Sequence, residues 1–233
     1  MDKQDFIEWV KKLEPTYQAN TLVLDQLADI ELIALVGPTG VGKTTIIEQL
    51  GLPYVRSDVT RARREFEKDG QDYNFRSDYF EVLDEIKNGQ YAQFLLSNSG
   101  EFYGTRVSSY PKEGPATMAI VASAIPKFRT LGFKKVIPIY ILPPGYAEWM
   151  HRIGTGRATD LDARMKEAAA SLPTALADSE YRFVLNDDLD LAVSEVNTII
   201  LGGYISEHRD QLARSSADLL FGRLGVADDL MAL

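Results

Sequence analysis

The chain has 233 residues, 45% of them hydrophobic and 25% charged, which describes one soluble globular domain with additions. A net charge of −9 excludes the broad basic face that nucleic acid or an anionic membrane would need. With no cysteine, and with two histidines far apart at His151 and His208, there is no disulfide frame, no thiolate nucleophile and no histidine metal centre, which suits a reducing cytoplasm.

The opening Met1-Asp2-Lys3-Gln4-Asp5 lacks the pattern of a signal peptide, and no apolar run reaches membrane-span length. Residues 4–14 place Phe6, Trp9, Val10 and Leu13 at helical spacing, and Pro15 stops the run. Residues 17–29 read as a second helix carrying Leu22, Val23 and Leu27. Residues 1–30 are therefore expected to form a helical extension that packs on the core without chemistry of its own.

Next comes an apolar strand-like run, 31–36, then Gly37-Pro38-Thr39-Gly40-Val41-Gly42-Lys43-Thr44-Thr45, then a helix-like run over 43–50. The loop fills every fixed position of the Gly-x-x-x-x-Gly-Lys-Thr phosphate-binding pattern, in the strand–loop–helix setting that gives the pattern meaning. Its glycines let backbone N–H groups turn inward as an anion nest, and the helix N-terminus adds its positive dipole end. Lys43 is expected to reach the β- and γ-phosphates, and the Thr44 hydroxyl to hold Mg²⁺. A nucleoside triphosphate is the ligand this predicts.

Beyond the loop, strands are expected at 117–122, 136–142 and 181–185, with helices near 78–88, 146–153, 161–171 and 188–200. Continuous apolar strands suit a parallel sheet buried on both faces, so the fold expected is a three-layer α/β P-loop kinase fold. Residues 54–110 interrupt the rhythm and read as an inserted acceptor-binding subdomain. Residues 152–164 read as a short lid. Residues 203–233 form a C-terminal helical extension, in which 204–222 place Ile205, Leu212 and Leu219 at heptad spacing, as on a docking surface or a homodimer face.

Three further segments carry a resemblance. They are Ser57-Asp58-Val59-Thr60-Arg61-Ala62-Arg63-Arg64, then Asp69-Gly70-Gln71-Asp72-Tyr73-Asn74-Phe75, then Phe102-Tyr103-Gly104-Thr105. In this order they resemble the guanylate kinases, which phosphorylate GMP with ATP. The resemblance covers roughly 31–200, within an expected domain of 31–202. It implies that Arg61, Arg64, Tyr73 and Tyr103 hold the acceptor phosphate, with Ser57 and Thr105 beside them. Arginine suits that task, because its fork binds phosphate oxygens in pairs and keeps its proton. Arg152, Arg157 and Arg164 resemble the family's lid arginines, and with Lys43 and Arg64 they make up the catalytic set. Asn186-Asp187-Asp188-Leu189-Asp190 resembles a C-terminal element that puts Asn186 with the ATP-binding residues.

Two departures stand beside these matches. The family reads guanine with a glutamate where this chain has Gln93, which offers one acceptor and one donor instead of two acceptors. The family's Asp-x-Asp is replaced by Ile120-Val121-Ala122-Ser123-Ala124, leaving Mg²⁺ to Thr44, the nucleotide phosphates and water. The expected partners are ATP and a small phosphorylated acceptor, GMP or dGMP first. The alternatives are a relative acting on ribose 1,5-bisphosphate and a noncatalytic guanylate kinase-like binding module. The complete loop opposes the module. A GTPase switch or helicase-type ATPase lacks its further motifs here.

Overall fold

A computed structural model describes residues 1–65, 67–97, 100–155 and 161–231. It falls into two compact units. One holds Met1–Leu32, Pro53–Ala116 and Phe128–Lys135. The other holds Ile33–Leu52, Thr117–Lys127 and Val136–Leu233.

In chain order, α1 (Lys3–Leu13) begins where the Asp2 carboxylate accepts from the Asp5 N–H at 2.9 Å. A 3₁₀ turn over Glu14–Thr16 follows, and then α2 (Thr21–Leu27), capped by Asn20. Strand β1 (Ile30–Val36) leads through the loop to α3 (Lys43–Leu50). Next come β2 (Asp58–Val59), β3 (Asn74–Phe75), α4 (Tyr79–Lys87), β4 (Tyr91–Leu96) and β5 (Phe102–Arg106). The chain continues through β6 (Gly114–Ala119), α5 (Ile125–Arg129), β7 (Lys135–Leu142) and α6 (Tyr146–Thr155). It closes with α7 (Leu161–Ala177), β8 (Arg182–Leu185), α8 (Leu189–Ile200) and α9 (Glu207–Met231).

The expected parallel sheet is present, in the order β6-β1-β7-β8. Its central strands are apolar on both faces: in β1 every residue except Glu31 is buried. A second sheet, β3-β2-β5-β4, lies within 54–110, where the sequence showed only a break in rhythm. There β2 runs parallel to β3, while β5 is antiparallel to both β2 and β4. Two-residue strands leave no periodicity to read.

Several boundaries differ from expectation. The strand expected at 117–122 ends at Ala119, and a 3₁₀ turn takes Ala122–Ala124. Helix α7 runs past 171 to Ala177 with Pro173 inside it. Burial of Leu172 and Ala175 carries the helix through the missing N–H. Helix α1 points Phe6 and Val10 inward, but Trp9 is 45% exposed and lies under the ammonium groups of Lys12 and Lys87 instead. In α9 the buried stripe is Ala213, Ala217, Leu220 and Leu224; Leu219, expected on the docking face, is 71% exposed. This stripe packs against β8 and α7, and it is not the heptad row that holds Leu212 and Leu219.

Candidate functional site

The phosphate loop lies in the unit that holds α3. Gly37 and Gly42 have φ of +135° and +96°, which an L side chain rarely adopts. A Cβ at Gly37 would strike the Ile141 carbonyl oxygen, and one at Gly42 would strike the Asn186 amide nitrogen. Side chains from distant parts of the chain take up the loop's carbonyls. Asn186 Nδ2 donates to the Val41 C=O at 2.7 Å, and Trp149 Nε1 donates to the Thr39 C=O at 2.9 Å. In a trans peptide the N–H points opposite to the C=O. The Gly40 and Gly42 N–H groups therefore point away from these donors, as an anion nest requires.

Lys43 Nζ donates to the Gly37 and Pro38 carbonyls, at 2.5 and 2.9 Å. The residue keeps some exposed surface, but its ammonium is folded onto the loop. That burial, partly offset by the Glu167 carboxylate, pushes its pKa down to about 8. The Thr44 side chain follows at the start of α3 in an exposed position. Among the described residues no group of three His, Cys, Asp or Glu side chains could hold a metal. The donor set present fits a magnesium ion carried largely by nucleotide phosphates and water, not one caged by protein.

Arg152, on α6, donates from Nε to Glu148 at 2.9 Å and from Nη1 to the Asn186 C=O at 3.1 Å. Arg164 is half-buried on α7. Arg157 lies outside the described residues. The turn carrying Asn186 is held in addition by Arg209 of α9, which donates to the Leu185 C=O at 3.0 Å and pairs with Asp187 at 2.8 Å and Glu195 at 2.7 Å. Trp149 and Arg209 were not expected here, since nothing in their local sequence marks them.

In the other unit, Arg61 and Arg64 converge on one buried carboxylate, Glu67, while Tyr73 and Tyr103 meet the Arg61 guanidinium. Arg61 grips it with both terminal nitrogens, at 2.6 and 2.7 Å, and its Nε donates to the Tyr103 hydroxyl at 3.2 Å. The guanidinium lies over the Tyr73 and Phe75 rings, at 5.0 and 5.4 Å. The backbone N–H of Arg64 donates to Glu67 at 2.9 Å, while its half-exposed guanidinium stands 3.9 Å from the same carboxylate. Burial pushes the Glu67 carboxyl up, but the Arg61 fork and the Arg64 N–H outweigh it and hold the group below its ordinary range. Sequence reading passed over Glu67, because one more acidic residue in an acidic chain carries no signal.

Gln93 on β4 and Thr105 on β5 are paired across the strands, and both are buried. Gln93 Nε2 donates to Thr105 Oγ1 at 3.5 Å, and the Thr105 hydroxyl shares a 3.0 Å hydrogen bond with Tyr110. Gln93 Oε1 is buried without a hydrogen-bond partner among the described residues. Ser57 stands half-buried just before β2. On the far side of β2, Asp58 is fully buried and accepts from Arg76 at 2.7 Å, Tyr91 at 2.8 Å and Asn74 at 3.0 Å. Arg106 Nε stands 2.7 Å from the same carboxylate, and Arg106 Nη1 pairs with Glu85 at 2.9 Å. This ion network braces the small sheet from behind.

The chain is similar to known proteins in sequence and in fold. The family model described as guanylate kinase matches residues 30–202. The guanylate kinase of Prochlorococcus marinus is 32% identical over 184 residues, covering 72% of this chain and 96% of that one. The guanylate kinase of Streptococcus thermophilus is 34% identical over 186 residues, covering 72% of this chain and 85% of that one. The crystal structure of guanylate kinase from Anaplasma phagocytophilum superposes with a TM-score of 0.55 at 24% identity, over 76% of this chain and 88% of that one, which shows a common fold. Residues 1–29 and 203–233 fall outside the matched family model.

Proposed function

The chain belongs to the guanylate kinase family, an ATP-dependent nucleoside monophosphate kinase that phosphorylates GMP, and on that premise we propose which of its residues carry the reaction. Neither a sugar-bisphosphate acceptor nor a noncatalytic module is favoured by this membership.

Residues 37–45 and Asn186 bind ATP. Lys43 neutralises charge on the β- and γ-phosphates, and Arg152, Arg157 and Arg164 assist as the lid. Thr44 offers its hydroxyl to Mg²⁺; the ion, when bound with ATP, supplies positive charge to the phosphates. Arg61, Arg64, Tyr73 and Tyr103 bind the GMP phosphate, with Ser57 and Thr105 close by. An oxygen of that phosphate forms a bond to the γ-phosphorus, and the bond from γ-phosphorus to the β–γ bridging oxygen breaks, giving GDP and ADP. The protein supplies position and charge and no nucleophile. The absence of a membrane-length apolar helix among the described residues fits a reaction in the cytoplasm.

The observation that carries the acceptor assignment is Gln93 Oε1. A buried oxygen left unpaired costs about 1–3 kcal/mol. Guanine carries two adjacent donors, N1–H and the exocyclic amine, and either can satisfy it. Gln93 satisfies one where a glutamate would satisfy both, so GMP is held less tightly than by a carboxylate.

The test is a panel of GMP, dGMP, AMP, CMP, UMP and ribose 1,5-bisphosphate, each with ATP and Mg²⁺, followed by ADP release. GMP should be preferred, and Gln93→Glu should raise its kcat/KM relative to the others. A stronger preference for another acceptor, or a GMP preference untouched by Gln93→Glu, would overturn the assignment of Gln93 to the base.

A further inference from the structure

We propose that the N-terminal extension serves the acceptor site, with Tyr17 as the positioning residue that fixes the bulge in β4 and so turns Gln93 toward the base. The proposal rests on the acceptor assignment above.

Among the described residues, strand β4 is an edge strand, paired only with β5. Regular alternation would put Tyr91 and Gln93 on one face. Instead the register shifts between them: Tyr91 pairs with Arg106, and Gln93 with Thr105. An extra residue in a strand re-aims the side chains that follow it. Here it sends Tyr91 into the cluster of Phe6, Val10, Phe94 and Phe102, and Gln93 to the opposite face beside Thr105. The same irregularity costs pairing, because backbone groups at an edge bulge have no neighbouring strand to meet.

Tyr17 supplies that partner. Its hydroxyl accepts from the Tyr91 N–H at 3.0 Å and donates to the Tyr91 C=O at 2.5 Å. Its ring packs edge-on against Phe94, with centroids 4.6 Å apart. Tyr17 thus grips the chain on both sides of Gln93. Burial pushes the phenol up to about 12, so the hydroxyl keeps the proton it donates. Three residues on, the Asn20 N–H donates to the Gly89 C=O at 2.9 Å and Asn20 Nδ2 donates to the Asn88 C=O at 3.1 Å, pinning the entry to β4. Lys3 pairs at 2.5 Å with Glu101, beside the strand that bears Tyr103. All these contacts come from residues outside the matched family segment: Tyr17 meets the edge of β4 and Phe94, Asn20 the turn before β4, and Lys3 the residue before β5.

Tyr17→Phe keeps the ring and removes the hydroxyl. The expected result is a rise in the GMP KM on the order of three- to tenfold, with the ATP KM unchanged and the preference for GMP over AMP reduced. Amide exchange at Tyr91 should quicken. A purely structural role would lower Tm and leave both the KM and the GMP-to-AMP ratio where they were; that result overturns the proposal. Should Tyr17→Phe fold poorly, Asn20→Asp keeps the helix cap and replaces the donor to Asn88 with a carboxylate oxygen that the Asn88 C=O repels. It should raise the GMP KM in the same direction by less, and no change there is equally fatal. Arg64→Ala is assayed alongside. If it raises the GMP KM while Tyr17→Phe does not, the role of Tyr17 fails and the acceptor assignment stands. If neither variant moves that KM, both are overturned.

Discussion

Arg61 and Glu67 form a two-pronged ion pair, both contacts under 2.8 Å, with Glu67 buried and the Arg61 side chain nearly so. The arginine proposed to hold the acceptor phosphate is thus already occupied by a carboxylate of its own unit. Glu67 pre-orients the guanidinium over Tyr73 and keeps its outer edge turned toward the Tyr103 hydroxyl. Arg64, three residues on, is tied to the same carboxylate mainly through its backbone. Two arginines that look equivalent in the sequence therefore have different duties.

Removing them should separate stability from binding. Arg61→Ala strands a buried carboxylate and should cost about 3–5 kcal/mol of folding stability. Adding Glu67→Gln should return part of that loss, since the stranded charge goes. Arg64→Ala should cost under about 1 kcal/mol of stability, because its guanidinium is half-exposed. It should nonetheless weaken GMP binding by about 2–4 kcal/mol, with ATP binding unchanged. Urea denaturation and separate nucleotide titrations measure the two effects. Equal stability losses for the two variants would contradict the geometry.

Lys43 should make ATP binding take up protons. Its pKa is pushed down to about 8 by burial in the free protein, against an ordinary 10.5. The sign for stability follows from linkage: between these values the unfolded chain holds the proton that the folded chain has released, so stability rises with pH through that window. Triphosphate places negative charge on the ammonium and raises its pKa again. Calorimetry of ATP binding near pH 8, repeated in buffers of different ionisation enthalpy, should show proton uptake that vanishes in Lys43→Met. Identical uptake in the variant would assign the proton elsewhere.

Arg209 should give the protein an acid-sensitive brace. Its hydrogen bonds hold the Asp187 carboxyl below its ordinary 3.8. A depressed carboxyl contributes stability that is fully present above its unfolded pKa and is lost as pH falls through the folded value. Arg209→Met removes that contribution and strands the buried Glu195, at about 3–5 kcal/mol near neutrality. The variant's stability should then fall less steeply than that of wild type below about pH 4. It should also bind ATP more weakly, because the Asn186 turn loses the hydrogen bond that Arg209 donates to the Leu185 C=O. Parallel acid profiles with unchanged ATP affinity would leave Arg209 without this role.

Much of this was legible in the sequence, for identifiable reasons. The phosphate loop is a contiguous backbone device, so its glycines, Lys43 and Thr44 stand in adjacent positions that a pattern can read. The parallel sheet announced itself because strands buried on both faces must be apolar throughout. Arg61, Arg64, Tyr73 and Tyr103 could be grouped only because their segments resembled those of a family. Tertiary structure alone decided which far-apart residues meet. Asn186 reaches the Val41 carbonyl across 145 positions, and Tyr17 reaches Tyr91 across 74. Glu67 became the hub of the arginines, and α9 buried Ala213, Ala217, Leu220 and Leu224 instead of Leu212 and Leu219. Helical spacing tells which residues share a face, but only packing against β8 and α7 chose the face. The turn of Gln93 depends on a one-residue slip in β4, and a slip of that kind is written in the pairing of two strands, not in either strand by itself.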